Sequence, residues 1–166
     1  FANQARSYYS ATGVMAAGKG MTCFENDQSL HCRFLAENGQ LDEGAFNANE
    51  GPLPPDDFPL RSVGLGEQHG CLVTQTGCVK CWGHDQHGQL GNGDSAAPGP
   101  GHLVTVAPFC NQENPIPVEG IAVGPYHNCV IAGTRVWCWG RNDDHQVNAS
   151  QTEAINAPFE HQNFPN

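Results

Sequence analysis

Residues Ile121 to Asn148 read I-A-V-G-P-Y-H-N-C-V-I-A-G-T-R-V-W-C-W-G-R-N-D-D-H-Q-V-N. Two short apolar runs flank Gly133-Thr134, and a cysteine stands at each open end, Cys129 and Cys138. Glycine accepts positive φ without steric cost, so Gly133 favours a two-residue hairpin turn. Directly opposed residues of an antiparallel pair have Cα atoms about 4.5–5.5 Å apart, which suits a disulfide. The stretch therefore predicts a β-hairpin closed by a disulfide across its mouth.

The same pattern occurs three times along the chain. Each copy has a glycine, a first cysteine, a second cysteine and a glutamine at nearly fixed offsets. In chain order these are Gly18, Cys23, Cys32 and Gln40; Gly66, Cys71, Cys81 and Gln89; Gly124, Cys129, Cys138 and Gln146. The first cysteines are 48 and 58 residues apart, a period typical of one supersecondary unit per repeat, stacked on its neighbours. Copies two and three also share Trp-Gly after the second cysteine, whereas copy one has drifted.

The third hairpin is apolar on both faces. Ile131 and Val136 share one face with the cysteines, while Val130 and Trp137 share the other. A hairpin on a solvated surface would alternate apolar and polar residues. We therefore expect both faces to be covered, as they are when similar sheets stack like the blades of a propeller.

Eight cysteines, an even number, indicate an oxidising compartment. The hairpin spacing predicts the disulfides Cys23–Cys32, Cys71–Cys81 and Cys129–Cys138, which leaves Cys78 and Cys110 for a fourth bond. The alternative is zinc, because Cys78-x-x-Cys81 has zinc-like spacing; a second pair at a suitable distance is missing, so we expect no metal.

The segments H-G-C-L-V-T-Q-T-G-C-V-K-C-W-G-H-D-Q-H-G-Q-L-G-N-G-D and H-N-C-V-I-A-G-T-R-V-W-C-W-G-R-N resemble repeats of the RCC1 family, whose members form β-propellers. They are most similar to the cysteine-bearing form of secreted bacterial proteins and plant receptor ectodomains. The resemblance extends from about Val14 to Val147. The family usually has seven repeats, so three imply an incomplete propeller unless other copies or further repeats complete it.

Composition agrees with a single all-β domain of three blades: 166 residues with 20 glycines, 12 prolines and short apolar runs. We place the repeats at about 13–60, 61–118 and 119–166. The net charge of −10 excludes the basic footprint of a nucleic-acid binder. No apolar run approaches the length of a membrane-spanning helix, so no membrane insertion is expected. The chain begins at Phe1 without methionine, which we interpret as a processed or trimmed chain.

Candidate catalytic groups are better explained as loop or structural residues. His84 and His87 suggest a metal site, but one copy alone has both, so a loop is favoured. His69 and His127 occupy equivalent positions and are expected to hydrogen-bond neighbouring backbone. The acid pairs Asp56-Asp57 and Asp143-Asp144 lie in polar segments and are expected to be solvated. We therefore predict no catalytic residue, no metal and no cofactor.

Three tryptophans and one asparagine complete the candidate residues. Trp82, Trp137 and Trp139 suggest a sugar-binding aromatic surface, but their repeat positions favour packing between blades. Asn148-Ala149-Ser150 matches the N-glycosylation sequon, which makes Asn148 a candidate site in a host that glycosylates.

The resulting prediction is a non-enzymatic protein, extracellular or at the cell surface. Terminal repeats without polar caps expose apolar faces, so we expect association with other copies of the chain through its terminal blades. Such a chain would serve as the subunit of a surface polymer or filament. The alternative is a recognition module that binds a protein or glycan through the blade loops.

Overall fold

A computed structural model of the chain describes residues 13–26, 29–35, 41–42, 55–94, 103–111, 113 and 116–161. These residues form twelve β-strands and one 3-10 turn, Pro55–Asp57, with no α-helix among them. The strands are β1 (Met15–Gly18), β2 (Met21–Asn26), β3 (Ser29–Leu35), β4 (Leu41–Asp42), β5 (Ser62–Leu65), β6 (His69–Val73), β7 (Val79–Gly83), β8 (Val104–Thr105), β9 (Gly120–Val123), β10 (His127–Ala132), β11 (Arg135–Gly140) and β12 (Ile155–His161). The predicted all-β class is confirmed.

The strands form three four-stranded antiparallel sheets, β1 to β4, β5 to β8 and β9 to β12, each ordered as in the chain. We call them blades 1, 2 and 3. The first strands of the three blades, β1, β5 and β9, contact one another in sequence. Each sheet is therefore a meander that starts at a shared inner edge and ends at an outer strand, as in the blades of a propeller.

The hairpin registers follow the local chemistry of the turns. In blade 3, Cys129 pairs with Cys138, and Ala132 pairs with Arg135 around Gly133-Thr134. Gly133 has a φ of 61°, a conformation that glycine adopts without steric cost. The two-residue loop expected from the sequence is therefore present, and the cysteines lie directly opposite each other.

All eight cysteines are paired. The three hairpin disulfides are Cys23–Cys32, Cys71–Cys81 and Cys129–Cys138, each with Cα atoms 4.1 Å apart. The fourth joins Cys78 to Cys110, which ties the segment around β8 to the turn of the second hairpin.

Two apolar clusters hold the blades together, one at each junction. Between blades 1 and 2 lie Met21, Cys23, Leu30, Cys32, Phe58, Leu60, Leu65, Leu72 and Trp82. Between blades 2 and 3 lie Cys71, Val73, Val79, Cys81, Leu90, Val106, Phe109, Val118, Val130, Ala132 and Trp139. The protein therefore has two core layers, one between each pair of adjacent sheets, rather than one central core.

The glycine repeated before each first cysteine ends or follows the inner strand of its blade, and in blades 1 and 2 it lies against the backbone of the next blade. A methyl group on Gly18 would lie 2.9 Å from the Gly66 carbonyl oxygen. A methyl group on Gly66 would lie 2.8 Å from the Gly124 carbonyl oxygen. A side chain at either position would collide with the backbone of the next blade, which explains the glycine in the repeat.

The outer strands follow the sequence less closely. The outer strand of blade 2 is the short β8, which pairs with β7. The sequence does not predict β12, because the segment after Asn148 has no regular alternation of apolar and polar residues. Pro158 lies within β12, where a residue without an amide hydrogen is tolerated because the strand forms the edge of its sheet.

Candidate functional site

Blades 1 and 2 each direct the face that carries the hairpin disulfide toward the following blade. Cys23 of blade 1 is fully buried with Leu72 and Trp82 of blade 2. Cys71 of blade 2 is fully buried in the cluster that contains Val130 of blade 3. We call this the disulfide face and the other side of each sheet the receiving face. Both internal junctions therefore join a disulfide face to a receiving face.

Blade 3 leaves its disulfide face open. Ile131 is 50% exposed and Phe159 is 38% exposed on that side, whereas Val130, on the receiving face, is 1% exposed. The expectation that both faces of the third hairpin are covered is therefore wrong within one chain. Successive residues of a strand point to opposite sides, and blade 2 covers one of those sides.

Blade 1 has the complementary open side, its receiving face, which is more polar. Met15 is 75% exposed there, and Thr22, His31 and Arg33 are exposed as well. The ring of Phe24 is half-buried and stacks on His31 with a centroid distance of 5.4 Å. The two open sides of the molecule therefore differ in chemistry as well as in position.

A buried polar network crosses the junction between blades 2 and 3. Nε2 of His69 is 2.9 Å from Oδ1 of Asn128, and the Asn128 amide donates to the Gln89 carbonyl at 2.7 Å. Trp139 Nε1 donates to the same carbonyl at 3.0 Å. Burial lowers the pKa of His69 to about 4, so the imidazole is neutral at physiological pH. His69 thus bonds a side chain of the next blade, rather than nearby backbone as expected.

The turns at one end of the blades form a continuous polar surface, which we call the turn rim. Lys19 of blade 1 donates to Glu67 of blade 2 at 2.6 Å, and this contact lowers the pKa of the Glu67 carboxyl. Tyr126 of blade 3 also hydrogen-bonds Glu67, which raises the pKa of the Tyr126 phenol. The Tyr126 ring lies 5.3 Å from the ring of His87 and 5.5 Å from the guanidinium of Arg141. Tyrosine and arginine are enriched among the residues that dominate the energy of protein–protein binding.

These features can be compared with known proteins. The repeat described as "Regulator of chromosome condensation (RCC1) repeat" matches residues 60–89 and 118–146, which contain the first three strands of blades 2 and 3. The chain belongs to the RCC1-like repeat family. The expected resemblance is therefore confirmed, and the three sheets are RCC1-like propeller blades.

Three proteins with RCC1-like similarity to this chain differ in their described roles and are much longer than it. It is 31% identical over 135 residues to the Ultraviolet-B receptor UVR8 of Arabidopsis thaliana, covering 77% of the chain and 29% of that protein. It is 30% identical over 97 residues to RCC1 domain-containing protein 1 of Homo sapiens, covering 58% and 24%. It is 25% identical over 159 residues to the human E3 ubiquitin-protein ligase HERC2, covering 87% and 3%. The chain spans less than a third of the length of each of these relatives.

Solved structures agree on the fold. Human WBSCR16 superposes with a TM-score of 0.67 at 20% identity, covering 90% of this chain and 41% of that one. Prp20p of Saccharomyces cerevisiae, whose structure was described with its binding to Gsp1p and histones, also gives 0.67, at 18% identity, covering 90% and 38%. Identities this low identify the fold and nothing finer.

The candidate metal and acid residues are dispersed. His84 is exposed, while His87 is half-buried and its ring packs on Tyr126. In the part of the chain that the structure describes, no three His, Cys, Asp or Glu side chains are grouped to hold a metal ion. Asp56 is exposed, but Asp57 is buried and pairs with Lys80. The expectation that both acids are solvated is therefore wrong for Asp57, which ties the connecting segment to blade 2.

The tryptophans lie between blades and the sequon lies in a loop. Trp82 belongs to the first junction, and Trp139, fully buried, to the second. Trp137 packs edge-on against Phe109 at 5.9 Å. Asn148 is half-buried and accepts a hydrogen bond from the Ser150 amide. Glycosylation at Asn148 stays a prediction. Across the described residues, no helix has the length and apolarity needed to cross a bilayer.

Proposed function

We propose that this RCC1-like chain is a non-enzymatic extracellular structural protein whose copies associate through the open faces of their terminal blades. The observation that carries the proposal is the open disulfide face of blade 3. In blades 1 and 2 the same face is covered by the next blade, and in blade 3 Ile131 and Phe159 remain exposed. In a second copy, the surface that would meet it is the receiving face of blade 1, where Met15 is 75% exposed.

The internal junctions support a second copy of the chain as the partner, because they contain the same kind of contact. A disulfide face against a receiving face buries a layer of apolar side chains in each case. Association between copies would repeat that contact rather than require a new one. Heterologous contacts of this kind form a closed ring or an open filament, depending on the rotation between neighbours.

The disulfides support the extracellular part of the proposal. All eight cysteines pair in the structure, and structural disulfides persist in oxidising compartments.

The test is sedimentation velocity over a hundredfold concentration range with wild-type protein and the variant Ile131→Lys. We expect the average mass of the wild type to rise with concentration. Ile131→Lys should weaken association about tenfold or more, because an ammonium group would be buried in an apolar contact. Gln75→Lys is the matched control, since Gln75 is exposed on the turn of the second hairpin and the change in charge is the same.

A wild type that stays monomeric throughout the range contradicts the proposal. That result favours the second candidate, a module that binds a protein or glycan through its loops. The observation that favours this candidate is the turn rim, where Tyr126 lies between His87 and Arg141.

A further inference from the structure

The residue two positions before the first cysteine of each repeat differs in burial between the covered blades and the open one. It is Met21 in blade 1, His69 in blade 2 and His127 in blade 3, and each begins the second strand of its blade. Alternate residues of a strand share a face, so all three lie on the disulfide face. Met21 and His69 are buried by the blade that follows, whereas His127 is half-buried.

His127 is held on its own blade in the same way as His69. The Gly124 amide donates to the His127 carbonyl at 2.8 Å, and the Gly66 amide donates to the His69 carbonyl at 2.8 Å. Each imidazole lies against its glycine, in the space that a side chain there would need. Two histidines with the same local support therefore differ in one respect: blade 3 covers His69, and in the part of the chain that the structure describes no blade covers His127.

Covering a histidine at this position favours its neutral form. At the internal junction, burial lowers the pKa of His69 to about 4, because an imidazolium loses its hydration there. Burial already lowers the pKa of the half-buried His127. A second copy on the disulfide face of blade 3 would bury His127 further and lower its pKa again. The contact is therefore more favourable with a neutral imidazole than with a charged one.

The strands around His127 offer no acid to compensate a positive charge. β9 contains no titratable residue. Arg135 of β11 and Glu160 of β12 pair with residues of the receiving face, so they point away from His127. His161 of β12 is on the disulfide face, and a charge on His127 lowers the pKa of His69 across the junction. A proton on His127 therefore adds a positive charge to a face whose other titratable strand residue is also basic.

The loop after β11 and the facing blade do not reverse this effect. Asp143 is paired with Arg141 at 2.6 Å, and Asp144 is exposed, where solvent and salt screen its charge. In a second copy, the receiving face of blade 1 carries His31 and Arg33 along β1 to β3 and no acid. Arg33 interacts within its own chain. The strands on both sides of the contact thus lack a carboxylate that could be buried with the imidazolium.

We propose that pH controls the association of copies through His127: the neutral imidazole permits a second copy to cover the disulfide face of blade 3, and protonation weakens that contact. This inference rests on the proposed function and adds to it the condition under which copies associate. Each contact then releases a proton from every protonated His127. The association constant must therefore fall as pH is lowered, by at most about tenfold per pH unit for one histidine per contact.

The test compares wild type with His127→Met in sedimentation velocity from about pH 7.5 to about pH 5. Methionine occupies the equivalent position of blade 1, where blade 2 covers it, so the variant keeps a side chain that suits a covered face. The ratio of the variant's association constant to that of wild type should rise about threefold or more over this range. The ratio is decisive because acid also reduces the net charge of −10, which affects both proteins alike.

His84→Gln is the matched control, since His84 is an exposed histidine in a loop of blade 2. Its association should follow that of wild type at every pH. Circular dichroism at low concentration verifies that each protein is folded across the range.

A second measurement needs no variant and keeps the test valid if His127→Met fails to fold. An NMR titration of wild type should give a lower midpoint for His127 at a concentration where copies associate than at a tenfold lower one. Equal midpoints contradict the inference, because a covered imidazole must be harder to protonate.

The contrary outcomes separate this inference from the proposed function. If wild type associates and its ratio to His127→Met stays constant over the pH range, His127 does not control the contact; this overturns the inference and leaves the proposed function in place. If wild type is monomeric at every pH and concentration, both are overturned.

Discussion

Both internal junctions bury a layer of side chains between two blades, but one layer is apolar at the position where the other contains a buried hydrogen bond. Between blades 1 and 2, Met21 packs into a cluster of aliphatic side chains and Trp82. Between blades 2 and 3, the equivalent position is His69, which is fully buried and bonded to Asn128. The side chain at this position of the repeat can therefore be apolar or polar, provided that the residue facing it in the next blade changes accordingly. A buried hydrogen-bonded pair also restricts which blade can be a neighbour, as polar core residues do in coiled coils.

The largest expected effect on the free energy of unfolding comes from removing the Trp139 side chain from the junction between blades 2 and 3. Trp139→Ala removes a fully buried ring and the donor to the Gln89 carbonyl. We expect a loss of about 3–5 kcal/mol in the free energy of unfolding, measured by chemical denaturation. Thr152→Ala, at an exposed loop position, should change it by less than about 0.5 kcal/mol. Equal effects of the two variants would show that the junction between blades 2 and 3 adds no stability.

The second prediction concerns pH. Burial lowers the pKa of His69 from 6.5 to about 4, so between these values the unfolded chain binds more protons than the folded one. Stability must then fall as pH is lowered from about 6.5 to 4, by about 3 kcal/mol in total for His69. Burial also lowers the pKa of His127, which adds to the fall with the same sign.

His69→Met converts the polar junction to the residue found in blade 1 and removes this titration. Unfolding free energies measured from pH 7 to pH 4 should show a shallower slope for His69→Met than for wild type. His84→Gln, at an exposed position, serves as the control and should keep the wild-type slope. Parallel slopes for wild type and His69→Met would contradict a buried neutral imidazole.

The smallest effect separates the hydrogen bond from the packing around it. Asn128→Ala leaves Nε2 of His69 and the Gln89 carbonyl with one partner fewer, and we expect a loss of about 1–3 kcal/mol. Combined with His69→Met, its cost should be smaller than the sum of the single costs, since both partners are then apolar. The matched change Thr22→Ala in blade 1, on an exposed residue, should be within about 0.5 kcal/mol of wild type. Strict additivity in the cycle would mean that the two side chains are not coupled.

The part of the fold that the sequence predicts is the part governed by neighbours in the chain. The register of Cys129 and Cys138 follows from a glycine turn and from side-chain alternation, both local properties. The outer strand β12 was missed because its signal is not local. Residues Ile155 to His161 lack regular alternation and include Pro158, and they pair only because β11 offers an open edge.

The candidate interaction surfaces show the same limit. The sequence identifies both apolar faces of the third hairpin, but whether Ile131 is covered depends on a neighbouring blade. The bond between His69 and Asn128 joins residues 59 positions apart, and aligning the repeats conceals it, because Asn128 has glycine or threonine at its equivalent positions. Differences between copies, rather than their shared pattern, would have been the signal.

The backbone contact at the repeated glycines has a geometric consequence. Gly18 lies against the carbonyl of Gly66, and Gly66 against that of Gly124, so main chain meets main chain along the inner edge. The angle between one sheet and the next is therefore set by main-chain atoms and does not depend on side-chain identity. Side chains farther out can drift, as those of the first copy have, without altering the curvature of the array. A ring of such units would inherit its diameter from these glycines.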